Sequence, residues 1–230
     1  MAGTRGTAQR GAYVKRLATY LALLLLSAGI FLPGRAEAAR QIYKYEVDHP
    51  QFGAIGTYTN VVDRDGTHVR VDTELHIAVK VLGITLYRQD AQRTEFWEDN
   101  RFVGFQGVTI TNGERLEIRG VAQEDGFSIV TPEGKTLAPA DIRPTNPWTG
   151  KMMDATHLMS TRSGRVENVR ITGGKEEDVD VHGQPMRLRH FEINGPRRQV
   201  VWLDKNNVAV FFQAETNGTL VDFVLTDQTG

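Results

Sequence analysis

Residues 68–81 alternate strictly between two kinds of side chain. One set is mainly apolar and the other mainly polar: Val69, Val71, Thr73, Leu75, Ile77, Val79 and Val81 against His68, Arg70, Asp72, Glu74, His76, Ala78 and Lys80. A period of two over fourteen residues is typical of an antiparallel strand with one face in the core. The pattern therefore predicts a strand over 68–81 whose apolar face, from Val69 to Val79, points inward.

Shorter runs of the same kind fill most of the chain after residue 40. They predict strands over 42–47, 55–62, 85–97, 102–111, 115–123, 127–131, 166–172, 178–181, 186–193, 199–203, 208–215 and 220–225. Pairs such as Asp65-Gly66 and Asn112-Gly113 separate neighbouring runs. These residues accept the positive φ that tight hairpins require, so successive strands are expected to pair as hairpins.

Two segments depart from this pattern. Residues 132–148 contain four prolines, which exclude a central strand and predict an ordered crossover. Residues 151–160 place three methionines and Thr156 at helical spacing and predict about three turns of helix. About a dozen strands with one helix predict an all-β fold, an antiparallel curved sheet forming an open or closed barrel, or a sandwich. The single short helix is expected to plug or cross it.

The first 38 residues have the organisation of a cleavable secretory signal. Basic residues precede an uncharged apolar run over 17–32, and Pro33-Gly34 ends that run. Ala36 and Ala38 then supply the small residues of a signal peptidase site. Since 16 apolar residues are fewer than the roughly 20 that span a bilayer, we expect cleavage after Ala38 and no integral membrane segment afterwards. The expected product is a periplasmic or secreted protein with a single domain over 39–230.

Charge and cysteine content exclude several functions. Without the leader, the chain has 22 basic and 27 acidic residues, and this net negative charge argues against nucleic acid as a partner. Cysteine is absent from the sequence, which excludes thiol catalysis, thiolate metal sites and disulfides. The expected domain must therefore be stabilised by core burial.

No pattern of catalytic or metal-binding residues stands out. Ser128, Ser160 and Ser163 are the serines after the leader, and none lies in a G-x-S-x-G elbow. His68 and His76 would lie about 27 Å apart on one strand, too far to share an ion. We therefore predict no metal site and no cofactor, and we favour a protein without catalytic activity.

The predicted strand over 85–97 is unusual because both of its faces become polar near the middle. One face carries Tyr87, Gln89, Ala91, Arg93, Glu95 and Trp97. We favour an edge strand protected by charge, on which an Arg93–Glu95 ion pair would contribute under about 1 kcal/mol. Alternatively, this face lines a cavity, with Arg93 and Glu95 holding a ligand head group and Tyr87 and Trp97 its apolar part. Losing one partner of a buried pair would then cost about 3–5 kcal/mol.

Trp148 and a group of arginines also allow two interpretations each. Trp148 lies in the proline-rich segment and is either a plug closing one end of the barrel, which we favour, or a lid over a ligand. The arginines at 187, 189, 197 and 198 form the densest cationic group after the leader. A solvated outer face is the favoured interpretation, and contact with an anionic head group is the alternative.

Several short motifs resemble a family of exported bacterial proteins catalogued as a domain of unknown function. They are Gly53-x-x-Gly56-Thr57-Tyr58, Glu95-x-Trp97, Asn112-Gly113, Pro144-Thr145-Asn146-Pro147-Trp148, Thr161-Arg162-Ser163-Gly164, Val201-Trp202-Leu203-Asp204, Val208, Phe212, Gly218 and Phe223-x-Leu225. Such sequences usually have Asn where this chain has Thr149. The tail is also similar to that of exported domains with the lipoprotein-carrier half-barrel fold. This resemblance implies a curved sheet with a hydrophobic cavity, and it brings no known activity.

The sequence is compatible with three functions. The favoured one is a non-catalytic protein that binds or carries a hydrophobic or amphipathic molecule, such as a lipid, in a half-barrel cavity. The alternatives are a cell-envelope structural or assembly factor that acts through its sheet edges and an enzyme with a carboxylate-based site around Glu95. The candidate ligand-binding residues are Tyr87, Arg93, Glu95, Trp97 and Trp148.

Overall fold

The computed structural model describes residues 39–181, 183–216 and 218–230. These residues belong to one compact unit, Glu37–Gly230. The predicted signal segment and its cleavage site after Ala38 lie outside the described residues.

Strands dominate the described part of the chain. In order, they are β1 (Ala39–His49), β2 (Gly53–Asp65), β3 (His68–Val81), β4 (Ile84–Glu98), β5 (Arg101–Thr111), β6 (Glu114–Ala122), β7 (Phe127–Thr131), β8 (Gly134–Ala138), β9 (Arg143–Pro144), β10 (His157–Met159), β11 (Val166–Asn168), β12 (Arg170–Val181), β13 (Gln184–Asn194), β14 (Gln199–Leu203), β15 (Ala209–Thr216) and β16 (Thr219–Thr229). A short 3-10 helix, Gly150–Met152, lies between β9 and β10.

Thirteen strands form one antiparallel sheet in the order β12-β13-β14-β15-β16-β1-β2-β3-β4-β5-β6-β7-β8. The first and last strands of the domain pair with each other, for example at Tyr45 and Leu225, and this pairing joins the two halves of the chain. The sheet curls around one continuous apolar core, to which Val71, Phe105, Val201 and Phe223 contribute from distant strands. A second small sheet, β11-β10-β9, carries Leu158 and Met159 into the same core. The predicted all-β, barrel-like fold is confirmed.

The predicted register of the long strand is also confirmed. Strand β3 has the predicted bounds, and Val71, Leu75 and Val79 are buried while His68 and His76 are exposed. Its neighbours β2 and β4 pair with it along most of its length. Several predicted hairpins form as well, and at Asn112-Gly113 both residues have positive φ, 50° and 92°.

The helix predicted over 151–160 is wrong. A 3-10 turn, Gly150–Met152, begins this region, and strand β10 occupies His157–Met159. Strand β10 pairs with β11 on one side and β9 on the other, so tertiary backbone hydrogen bonds replace helical ones. A helix of about ten residues is marginal in water without tertiary support, and the buried methionines are equally well accommodated by two short elements.

The favoured interpretation of the strand over 85–97 as an edge is wrong too. Strand β4 lies inside the sheet, where Arg93 is paired with Thr73 of β3 and with Gly107 of β5. The edges of the large sheet are β8 and β12. The sequence pattern missed β8, which forms between Pro132 and Pro139. Its edge position is compatible with these flanking prolines, because an edge strand needs hydrogen bonds on one side only.

Candidate functional site

Glu95 lies at the centre of a buried polar cluster on the inner face of the sheet. Its side chain is 1% exposed. The Trp97 and Trp148 indole nitrogens each donate a hydrogen bond to Oε2 at 3.0 Å. The Asn146 amide donates to Oε1 at 2.9 Å. Both carboxylate oxygens therefore accept N–H groups from the protein itself.

Two elements far apart in sequence build this cluster. The two-residue period of β4 places Arg93, Glu95 and Trp97 on the same inward face. The segment around Pro144 and Pro147 brings Asn146 and Trp148 to it, and we call residues 144–148 the plug segment. Trp148 is 2% exposed and packs edge-to-face against Trp97 with ring centroids 6.0 Å apart. This is the geometry of a fixed plug and differs from that of a mobile lid.

Asn146 connects Glu95 to neighbouring strands. The Tyr58 hydroxyl donates to Asn146 Oδ1 at 2.6 Å. The Asn146 amide nitrogen lies 3.1 Å from Thr73 Oγ1 and 3.2 Å from Asn60 Oδ1. Thr73 in turn donates to Asn60 Oδ1 at 2.7 Å. Sequence reasoning missed this network, although Asn60 and Thr73 are polar residues on the otherwise apolar inner faces of β2 and β3.

Burial controls the protonation of Glu95. Removal of the carboxylate from water raises its pKa to about 7, although the hydrogen bonds from Asn146, Trp97 and Trp148 act in the opposite direction. The same desolvation raises the pKa of Tyr58. A carboxyl group half protonated near neutral pH could serve acid–base chemistry only if a substrate could reach it.

Arg93 and Glu95 both lie inside the barrel, but they do not form the predicted ion pair. Among the described residues, the Arg93 guanidinium has a single hydrogen-bond partner, Thr109 Oγ1 at 3.4 Å. Its Nε is buried and has no partner within residues 39–181, 183–216 and 218–230. The side chain is 9% exposed, and burial lowers the pKa of its guanidinium.

A cavity of about 360 Å³ adjoins this cluster, and Tyr58 and Arg93 belong to its lining. Its apolar walls come from strands on both halves of the sheet: Ile55, Leu75, Ile77, Val79, Phe212 and Phe223. Thr145 and Pro147 of the plug segment, together with Tyr58, form its floor. Of the five predicted ligand-binding residues, Tyr87 and Arg93 line this cavity, whereas Glu95, Trp97 and Trp148 are not part of its lining.

Two further arginines line the same cavity, Arg162 and Arg197. Arg197 is half-buried and is paired with Glu167 at 3.0 Å, and it also donates to Ser160 Oγ at 2.9 Å. The predicted solvated outer face is therefore wrong for Arg197. It is confirmed for Arg187, which is exposed and pairs with acidic residues of β12.

Comparison with known families places the chain in one of them. A family model described as "Domain of unknown function (DUF6134)" matches residues 53–226. The chain belongs to this family. No curated protein matches the sequence. The DUF6134 match includes both the floor and the walls of the cavity.

A solved structure confirms the architecture of this DUF6134 domain. The crystal structure of a beta-barrel-like protein of domain of unknown function DUF1849 from Brucella abortus superposes with a TM-score of 0.63. The sequences are 11% identical, and the superposition covers 82% of this chain and 96% of the other. At that identity the likeness shows a shared fold and nothing about function.

Proposed function

We propose that this DUF6134 domain binds a hydrophobic or amphipathic molecule inside its barrel and acts as a binding or carrier protein. The observation that supports this most strongly is the cavity of about 360 Å³ lined mainly by apolar side chains from both halves of the sheet. Ligand pockets typically have volumes of about 300–1,000 Å³, mostly apolar walls and few polar groups. The cavity has a volume in this range and mainly apolar walls, and its polar lining includes Arg93, Arg162 and Arg197.

The hydrogen bonds beneath the cavity support a binding site that is preformed before a ligand enters. The plug segment presents Thr145 and Pro147 to the cavity and bonds Asn146 and Trp148 to Glu95 on the opposite side. These contacts close one end of the cavity with a fully hydrogen-bonded structure. A site held in this way loses little conformational entropy when a ligand enters.

Exposed apolar side chains near the other end of the cavity support ligand exchange there. Phe52 and Leu86 line the cavity and are 44% and 59% exposed. Leu82 and Ile84, at the adjoining β3–β4 turn, are also exposed. Apolar groups clustered on a surface mark sites that contact hydrophobic partners. They would lower the cost of moving an apolar molecule between the cavity and a membrane or another carrier.

The position of Glu95 gives less support to an enzyme. Glu95 does not line the described cavity, and its oxygens are occupied by Asn146, Trp97 and Trp148. A general acid or base needs to reach a substrate within hydrogen-bond distance. The contacts of Glu95 suit a residue that fixes the plug segment in place.

We also propose that the domain works in the periplasm or outside the cell. This proposal rests on the signal-like pattern of residues 1–38, which ends at Ala36-Glu37-Ala38. Within the part of the chain that the structure describes, there is no helix of sufficient length and apolarity to span a membrane.

A neutral fluorescent probe tests the binding proposal. N-phenyl-1-naphthylamine brightens in apolar surroundings, and we expect saturable enhancement with the unmodified domain. Ala214 lines the cavity, so Ala214→Phe should fill part of it and weaken probe binding about tenfold or more. Titration followed by fluorescence measures both affinities.

The matched control is Ala78→Phe. Ala78 is partly buried and lies on β3 between inward-facing Ile77 and Val79, with its side chain on the other face of the sheet. The same chemical change there should leave probe affinity unchanged. Lack of saturable binding by the unmodified domain would refute the proposal. Equal weakening of probe binding in the two variants would also refute it, provided that circular dichroism shows both variants to be folded.

A further inference from the structure

Arg93 is a buried cation that forms no ion pair with any of the described residues. Among the residues that the structure describes, its Nε has no hydrogen-bond partner and its terminal nitrogen reaches the neutral Thr109 hydroxyl alone. Arginine remains charged in proteins, and a buried charge is costly unless it is paired. Glu95, the nearest acid on the same face of β4, directs its oxygens to Asn146 and the two indoles.

Arg162 brings a second cation to the same space. It lies in the turn that follows Ser160, where Gly164 N donates to Ser160 O at 2.8 Å and Thr161 N donates to Thr145 Oγ1 at 3.1 Å. Arg162 and Arg93 both line the cavity. Among the described residues, the Arg162 guanidinium has no hydrogen-bond or ion-pair partner. Arg162 is partly exposed, so Arg93 is the more costly of the two charges, and an anion between them would offset their mutual repulsion.

The other charges around the cavity do not neutralise this pair. Glu167 lines the cavity but is bonded to Arg197 at 3.0 Å. Glu215 lines it near the β15–β16 turn, where it accepts a hydrogen bond from the Arg198 backbone nitrogen and, among the described residues, forms no ion pair with Arg93 or Arg162. Arg93 and Arg162 are therefore the free cationic groups of the described lining.

We infer that Arg93 and Arg162 form a subsite for the anionic head group of an amphiphile whose tail occupies the apolar part of the cavity. This inference rests on the proposed function and specifies its ligand class, a carboxylate or phosphate carrying an alkyl chain. The fork of N–H donors on a guanidinium matches the oxygens of both groups. Leu75, Ile77 and Phe223 provide the surface for the chain.

Calorimetric titration with amphiphiles of equal chain length tests the inference. The probes are dodecanoate, dodecyl phosphate and neutral dodecanol, with inorganic phosphate as the head group without a tail. We expect at least one of the two anionic amphiphiles to bind about tenfold tighter than dodecanol, the factor expected from one charge-assisted hydrogen bond. The better of the two identifies the head group. Inorganic phosphate alone should bind far more weakly.

Three variants assign this preference to residues. Arg93→Met keeps the alkyl stem without the charge. It should abolish the preference, so that the anionic amphiphile and dodecanol bind with about equal affinity. Arg162→Gln should reduce it several-fold. Arg165→Gln is the matched control, because Arg165 follows in the same turn, is exposed and pairs with Glu133 at 3.6 Å. It should retain the full preference.

The melting temperature distinguishes loss of the subsite from loss of the fold. Because an unpartnered buried charge opposes folding, Arg93→Met without ligand should melt at the same or a higher temperature than the unmodified domain. It should no longer be stabilised by the preferred anion, whereas the unmodified domain should be.

The outcomes separate this inference from the proposed function. Equal binding of dodecanol and both anionic amphiphiles would overturn the anionic subsite and leave apolar ligand binding intact. If inorganic phosphate bound as tightly as dodecyl phosphate, the alkyl chain would contribute nothing, and the claim that the ligand is an amphiphile would be refuted. If neither the amphiphiles nor N-phenyl-1-naphthylamine bind, both the inference and the proposed function are refuted.

Discussion

At the scale of single residues, Glu95 is the group that joins strand β4 to the plug segment. It accepts hydrogen bonds from β4 itself and from the plug segment, and so it connects the sheet to the floor of the cavity. Its burial raises its pKa to about 7, which makes its contribution to stability depend on pH. The contribution should fall as pH rises.

The direction follows from the two protonation states of Glu95. Between about pH 4.5 and about pH 7 the folded domain holds a proton on Glu95 that the unfolded chain releases. The stabilisation from this proton is therefore complete below about pH 4.5, declines up to about pH 7 and is absent above it. The total change is on the order of 3 kcal/mol.

Glu95→Gln removes this titration. We expect the free energy of unfolding of the unmodified domain to fall, relative to that of the variant, as pH rises from 5 to 8. Urea unfolding at several pH values measures both curves. Glu124→Gln, at an exposed loop position, is the control and should follow the unmodified domain. Parallel curves for the unmodified domain and Glu95→Gln would show that Glu95 is not protonated on folding.

At the scale of elements, alternation of apolar and polar residues was sufficient to predict strands. Strand β3 has the predicted bounds because fourteen consecutive residues agree with a single period. The segment over 151–160 was too short for such agreement, and partners β9 and β11 decided its conformation. Strand β8 was missed because proline content excludes a central strand but leaves an edge strand possible.

Strand β3 also allows a test of its two faces. Leu75 is 6% exposed and packs in the core, so Leu75→Ala should lower the free energy of unfolding by about 2–5 kcal/mol. His76 is exposed and contacts Glu74 and Asp90 on the outer face. Since exposed ion pairs contribute about 0–1 kcal/mol, His76→Ala should cost little. Denaturant unfolding measures both, and equal losses would mean that the register is wrong.

At the scale of the whole molecule, sequence reasoning found part of the candidate site. The polar middle of β4 singled out Arg93 and Glu95, but the choice between an edge and a cavity depended on which strands flank β4. Arg162 and Asn146 were visible only as members of short motifs. Their roles depend on how the plug segment and the turn after Ser160 fold against the sheet, and no local pattern encodes those long-range contacts.

The central claim concerns the molecule as a whole, namely that the barrel holds an amphipathic ligand. The roles given to the cavity walls, to Arg93 and Arg162 and to the exposed Phe52 and Leu86 all depend on an occupant. A protein purified from its own cells without detergent or organic solvent should retain that occupant if binding is tight.

Native mass spectrometry of such a preparation tests the claim most directly. We expect a polypeptide with the mass of residues 39–230 carrying one additional molecule of lipid-like mass, which organic extraction removes. The Ala214→Phe variant should carry less of it, and Ala78→Phe should carry the same amount as the unmodified protein. A bare polypeptide mass in the unmodified protein, unchanged by extraction and by incubation with dodecanoate, dodecyl phosphate or dodecanol, would contradict the account.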